Sequence, residues 1–306
     1  YSNETYCITP LPAPSNVVAY PHSTDCGRVD VYWTDNSTGE DGFKIERREW
    51  SGGSWQEIAT VAANTTSYTN TGLCNGYSYY YRVRAYRGSV YSSYSNISNE
   101  ATTCLPNPSN LQCSASANQV SLTWQDNSYC ESGFSIERVT GSSCTNFSQI
   151  TTVGANTTSY NDTSVNQGTT YCYRVGAYTP ALTSYSNNAT CTTSLPAPSN
   201  LTATATGPNS ISLSWRDNST GESGFKIYRA TGSCSNFSLL TTVAANSTST
   251  NDTTPSQGTT YCYYVTAYTS YTESNPSNNA SATTPIPNPS NLTATATGPN
   301  SISLSW

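Results

Sequence analysis

Methionine is absent from these 306 residues, lysine occurs only as Lys44 and Lys226, and His22 is the single histidine. Charged residues make up 10% of the chain, and Ser, Thr, Asn and Tyr fill the places that Glu and Lys take in an average cytosolic domain. With a net charge of −6 there is no excess of Lys and Arg to displace counterions from a phosphate backbone, so nucleic acid is not an expected partner. No apolar run reaches the length of a membrane span, and the opening YSNETYCITP has neither the basic nor the apolar segment of a secretory leader. A single histidine and no Gly-x-Ser-x-Gly or other nucleophile setting give Ser-His-Asp chemistry nothing to stand on; no catalytic residue, metal or cofactor is expected.

Cysteine, by contrast, is abundant. The eleven cysteines show no Cys-x-x-Cys spacing, and with one histidine they do not suit a zinc site. They suit disulfides formed in an oxidising compartment, which points to an extracellular or cell-surface protein.

The length allows roughly two to three domains of about 100–150 residues, and internal repetition decides the matter. LPAPSN at Leu11, LPNPSN at Leu105, LPAPSN at Leu195 and IPNPSN at Ile286 recur about every ninety residues. Between them the order of blocks is constant: VYWTDNSTGEDGFKIERR, LTWQDNSYCESGFSIERV and LSWRDNSTGESGFKIYRA, then ATVAANTTSY and its relatives, then YYYRVRAY, YCYRVGAY and YCYYVTAY. Apolar and polar residues alternate within each block, and Gly, Pro, Asn and Asp cluster between blocks. That pattern predicts short half-buried strands in an all-β sandwich.

Trp33, Trp124 and Trp215 in the second predicted strand, the Tyr-x-Tyr-x-Val-x-Ala runs from Tyr79, Tyr171 and Tyr261, and the Pro-Ser-Asn-Leu entry resemble the fibronectin type III domain, in the form common in bacterial extracellular repeat arrays. The resemblance implies tandem immunoglobulin-like, seven-stranded β-sandwiches, beads on a stiff string, with Tyr79, Tyr171 and Tyr261 as tyrosine corners. The units implied are residues 11–104, 105–194 and 195–285. Residues 1–10 align with the last strand of a preceding domain, and 286–306 with the first two strands of a following one, so the chain reads as a window on a longer array.

The repeat also sorts the cysteines. Cys144 with Cys172 and Cys234 with Cys262 share one separation and context, so each reads as a bridge within its own domain. The first domain has Gly52 and Tyr80 there and carries Cys26 and Cys74 in loops that the resemblance places at one end, which makes them the expected pair. Cys113 is expected to bridge Cys191, and Cys104 to reach Cys130; Cys7 matches Cys191, so its partner is expected upstream. Each bridge of this kind is worth about 3–4 kcal/mol on the chain-entropy model.

Asp35, Glu40 and Asp41 share a loop and would attract a search for acid/base pairs or calcium ligands, yet Asp126 with Glu131 and Asp217 with Glu222 repeat the arrangement. Turn formation explains such repetition better than catalysis does. Trp50 and Trp55 are candidate aromatic platforms; Trp55 aligns with Phe147 and Phe237 and is expected in the core, leaving Trp50 as the free candidate. Arg87 opens an Arg-Gly-Ser where some members of the family carry an integrin-binding Arg-Gly-Asp, but Ser89 removes the acidic residue that motif needs.

Asn-x-Ser/Thr acceptor sequons occur at Asn3, Asn36, Asn64, Asn96, Asn146, Asn156, Asn161, Asn188, Asn200, Asn218, Asn236, Asn246, Asn251, Asn279 and Asn291. Asn64, Asn156 and Asn246 recur at one predicted turn, Asn161 and Asn251 at another, so covalent glycans are expected at several. On the third and sixth strands, Glu46 and Arg82 are expected to face each other, as are Glu137 and Arg174; both change together to Tyr228 and Tyr264. The expectation for function is a structural component of a glycosylated, disulfide-stabilised extracellular fibre or stalk, its partners being neighbouring copies or further repeats. The alternative is an adhesin, a carbohydrate-binding array, or the accessory region of a secreted carbohydrate-active enzyme.

Overall fold

The structure, a computed structural model, describes residues 9–306; Asn3, Cys7 and most of the strand expected over 1–10 lie outside them. The second repeat shows the plan. Its strands are Ser109–Ala115, Val120–Gln125, Gly133–Thr140, Ser148–Gly154, Ser159–Asp162 and Thr170–Tyr178, and a seventh in two pieces, Thr183–Tyr185 and Ala189–Thr192. The first, second and fifth strands form one antiparallel sheet; the fourth, third, sixth and seventh form the other. The first and third repeats follow the same order, so the chain is a series of tandem β-sandwiches.

Period-two alternation builds the core. In Val29–Thr34 the buried residues are Val29, Val31 and Trp33, while Asp30, Tyr32 and Thr34 face outward. Each Trp of the second strand meets a Phe of the opposing sheet: Trp33 and Phe43, Trp124 and Phe134, Trp215 and Phe225 have ring centroids 5.6–5.7 Å apart. Truncating any of these Trp residues to Ala would cost about 3–5 kcal/mol. Strands Thr293–Gly298 and Ser301–Ser305 pair with each other as an antiparallel hairpin.

The tyrosine corners are present: the hydroxyls of Tyr79, Tyr171 and Tyr261 accept hydrogen bonds from the backbone N–H groups of Cys74, Asn166 and Ser256. The cross-strand pairs are present too. Glu46 lies opposite Arg82 and Glu137 opposite Arg174, with closest N–O distances of 2.6 Å in both pairs, and Tyr228 stacks on Tyr264 at 4.6 Å. Trp55 departs from expectation. It is half-buried on the outer face of its sheet, because a β-bulge between the third and fourth strands, where Ile45 pairs with Ala59 but Glu46 with Glu57, reverses the inward parity of the residues before it.

The irregular segment leading into the last strand of each repeat obeys a different period. In the first repeat Ser92, Ser95 and Ser98 each exchange two bonds with the sixth strand: the serine N–H donates to the carbonyl of Ala85, Val83 or Tyr81, and the serine Oγ accepts that residue's N–H. Asn96 and Asn99 face the other sheet. Their Oδ1 atoms accept from the N–H groups of Val17 and Ala19, and their Nδ2 atoms donate to the same two carbonyls. Ser186 with Asn187 and Ser277 with Asn278 repeat the device.

Candidate binding, modification and joint sites

The acidic loops prove to be local scaffolding. Asp35, Asp126 and Asp217 accept bonds from both the backbone and the hydroxyl of the serine two residues on. Glu40, Glu131 and Glu222 accept from the backbone N–H of Asn64, Asn156 and Asn246, fastening the turn that carries the recurrent sequon. Asp41 caps the turn after the sixth strand by accepting from the Gly88 N–H at 2.7 Å.

Those three asparagines are exposed and adopt left-handed φ of 57–61°, a conformation Asn tolerates better than most residues. Asn146 and Asn236 are likewise exposed and left-handed, near the ends of their loops, and Asn200 and Asn291 share that conformation. Asn161 and Asn251, expected at a turn, instead lie exposed in the fifth strand. Asn188 and Asn279 are exposed beside the seventh strand. Asn36, Asn96 and Asn218 are held by the fold, as developed below.

Five disulfides are formed among the described residues. Cys144–Cys172, Cys234–Cys262 and Cys113–Cys191 lie within repeats. The other pairing differs from expectation: Cys26 bonds Cys104, and Cys74 bonds Cys130. The linker explains it. Gly76 N–H donates to the Cys104 carbonyl and Thr103 Oγ1 to the Cys74 carbonyl, which brings Cys104 beside the loop of Cys26 and leaves Cys74 facing the next repeat.

Successive repeats meet through one set of bonds used twice. At the first joint Thr179 Oγ1 donates to the Gly76 carbonyl at 2.8 Å, and the Tyr129 N–H donates to Asn75 Oδ1 at 2.8 Å. At the second, Thr269 Oγ1 donates to the Gly168 carbonyl at 2.6 Å and the Thr220 N–H to Gln167 Oε1 at 3.0 Å. Gly76 and Gly168 have φ of 71° and 59°, and a Cβ on either would come within 2.9 Å of the threonine side chain, so glycine is required twice over. The first joint alone adds the Cys74–Cys130 bridge; Asn166 and Gly221 stand at those positions in the second. Arg87 occupies the place of Thr179 and Thr269, and its guanidinium donates to the Thr9 carbonyl at 3.3 Å. It is therefore a half-buried joint residue.

Trp50 is unusual in both backbone and exposure. Its φ is 42°, at a position where the other repeats have Gly141 and Gly232, and all three N–H groups make the same bond to the start of the sixth strand. Left-handed backbone in a bulky residue costs roughly 1–2 kcal/mol. The indole is 58% exposed and borders a groove of 330 Å³ between repeats, lined also by Gly76, Tyr77, Ser78, Pro180 and Ala181.

Trp55 instead belongs to a ladder. Arg48 lies between Tyr80 and Trp55, Arg82 between Trp55 and Tyr94, and Arg84 between Tyr94 and Tyr91, with guanidinium-to-ring distances of 3.6–5.2 Å. The second repeat keeps one rung, Arg174 between Phe147 and Tyr185. The third replaces it with the stacked Tyr228 and Tyr264, edged by Phe237. Each of these rings is engaged on one face or edge by the protein's own side chains.

Under each sandwich edge sits a polar cluster. Asp162 accepts from Arg138 at 2.6 Å, Tyr173 at 2.9 Å and Ser164; Asp252 accepts from Arg229, Tyr263 and Thr254. Burial opposes ionisation of both carboxyls, but these bonds outweigh it and hold them below the usual range. The first repeat has Asn70 in this place, accepting from Arg47 and Tyr81.

The sandwiches, corners and joints together define an all-β chain of tandem β-sandwiches. The sequence of residues 196–283 matches the fibronectin type III domain family. Among solved structures, the chain is similar to the FN1–FN3 domains of chicken CNTN1, at 18% identity over 91% of this chain and 100% of that one, with a TM-score of 0.32. It is also similar to a two fibronectin type-III domain segment from chicken tenascin, at 17% identity over 58% of this chain and 100% of that one, with a TM-score of 0.50. No curated protein matches it.

Proposed function

We propose that this chain is part of a structural array outside the cell, a glycosylated and disulfide-stabilised fibre or stalk that works through its repeats. The observation that carries this reading is the reuse of one joint: the same glycine, threonine and side-chain amide make the same contacts between the first and second repeats and between the second and third. A joint that repeats its geometry propagates a regular rod, at roughly 30–40 Å per repeat for strands of about seven residues with loops added. Ten of the eleven cysteines, paired as five bridges among the described residues, and the exposed sequons fit an oxidising exterior. Bacterial extracellular arrays are the setting the sequence resembles. Negative-stain microscopy of native material without ligand is expected to show rods or filaments with that axial repeat; repeats folded back into compact particles would overturn the reading.

A binding module is the second reading, and Trp50 favours it, since a strained and exposed aromatic residue is a recurrent mark of a functional site. In that case the chain would retain a defined sugar on a glycan array and lose it in Trp50→Gly with melting undiminished. No retention by either form removes this alternative.

A further inference from the structure

We infer that the fold divides the sequons into two classes, and that glycans are carried at Asn64, Asn156 and Asn246 but not at Asn36, Asn96 and Asn218. This rests on the reading of the chain as a glycoprotein and specifies which asparagines take the sugar.

The distinction lies in the amide nitrogen. In glycan transfer Nδ2 bonds to the anomeric carbon of a diphosphate-activated oligosaccharide. The carbon–oxygen bond to diphosphate breaks with its electron pair leaving on oxygen, and Nδ2 gives up one of its two protons to a base. The product nitrogen keeps a single hydrogen and carries a bulky substituent. An asparagine whose two Nδ2 hydrogens both serve the fold cannot be modified without losing one bond and displacing its acceptor.

Asn36 is such a residue: Nδ2 donates to the Ala13 carbonyl at 2.8 Å and to Ser15 Oγ at 2.9 Å. Asn218 makes the same pair of bonds to Ala197 and Ser199 at 2.8 and 2.9 Å. Asn127 repeats them in the second repeat, to Asn107 and Ser109, although its tripeptide Asn-Ser-Tyr is no acceptor. The asparagine is therefore present for the bonds, and the sequon at two of its three copies is incidental. The same comparison isolates Asn96. Its Nδ2 donates to the carbonyls of Val17 and Ile97, and Asn99, Asn187 and Asn278 make the equivalent pairs outside any sequon.

Asn64, Asn156 and Asn246 are the opposite case. Their structural duties fall on the backbone, through left-handed φ and an N–H bonded to Glu40, Glu131 or Glu222. Their side chains make no hydrogen bond among the described residues and are exposed, and all three copies keep Thr at the acceptor position, as Thr66, Thr158 and Thr248.

Site-resolved glycopeptide mass spectrometry on native protein tests this. Occupancy is expected at Asn64, Asn156 and Asn246, with unmodified peptides only at Asn36, Asn96 and Asn218. Glycans on the second set at comparable occupancy overturn the division while leaving the glycoprotein reading intact. Bare peptides at all six positions overturn both. Two variants in a host that glycosylates sequons give an independent readout without altering any asparagine: Thr248→Ala should remove one glycan mass, and Thr220→Ala none. Loss of a glycan mass on Thr220→Ala also overturns the division.

Discussion

The two joints between repeats share two hydrogen bonds, and the first adds a disulfide and a bond from the Asn75 N–H to the Tyr129 carbonyl. At the first, Cys74–Cys130 lies beside the hydrogen bonds of Gly76 and Asn75; at the second, the equivalent bonds of Gly168 and Gln167 stand alone. The shared contacts set the angle between sandwiches, since they occur with and without the bridge. The disulfide therefore restricts departure from an angle already chosen. The two joints are thus of one design, one braced and one free to yield.

The largest effect should come from removing that difference. Cys74→Ser with Cys130→Ser opens a closed loop of sequence separation 56, and the lost constraint on the unfolded chain is worth about 4 kcal/mol. Spin-label distance distributions across the first joint should then broaden to match those across the second. An unchanged width would show that the bridge is not what restrains it.

Next in size is a contrast in acid response. Asp162 and Asp252 have folded pKa values below the unfolded value of about 3.9. Their contribution is complete above that value and is lost as pH falls through the lower folded pKa, as each carboxylate protonates and its charge-assisted bonds weaken. Asn70 exempts the first repeat from this term. Acid melting followed repeat by repeat should show the second and third weakening in this window, by about 1.5–3 kcal/mol each for a charged hydrogen bond. Asp162→Asn should flatten the response of the second repeat; if the slope persists, another group carries it.

Smaller effects probe the shared contacts. Thr269→Ala removes about 1 kcal/mol of hydrogen bonding at the second joint and should broaden its inter-repeat distances. Thr179→Ala removes the same bond at the first, where the bridge should keep the distribution narrow. Equal broadening in both would deny the disulfide its restraining role. Smallest is Trp50→Gly, expected to raise stability by roughly 0.5 kcal/mol, as about 1–2 of left-handed strain is relieved against about 0.4–1 of added chain entropy. Chemical denaturation measures it, and a loss of stability would mean that the indole packs more strongly than its exposure indicates.

The sandwich was legible because alternation, the Trp of the second strand and the Tyr of the corner are local patterns repeated in register. Facing pairs such as Glu46 and Arg82 followed, since antiparallel neighbours fix each other's parity. The pairing of Cys26, Cys74, Cys104 and Cys130 did not follow from aligning repeats. Cys74 and Cys130 belong to different repeats, and only the docking of one on the next brings them together. Trp55 was misplaced for another reason: a bulge shifts parity by one, and nothing in the fourth strand's composition announces it. The Ser and Asn between the last strand pieces were in plain view as Ser-Ser-Tyr-Ser-Asn-Ile-Ser-Asn, but they repeat every third residue and so escape a test for period two.

That three-residue rhythm bears on how closely such sandwiches can lie side by side. An open sheet edge offers a row of unpaired amides and carbonyls to any neighbouring chain, and crowding makes adventitious strand pairing a hazard. Asn96 and Asn99 occupy the outward N–H and C=O of Val17 and Ala19 with side-chain amides, which copy a neighbouring backbone without being one. Because side chains cannot continue as a ladder, no further strand can be templated there. Sandwiches crowded edge to edge would keep their identities, able to touch without fusing.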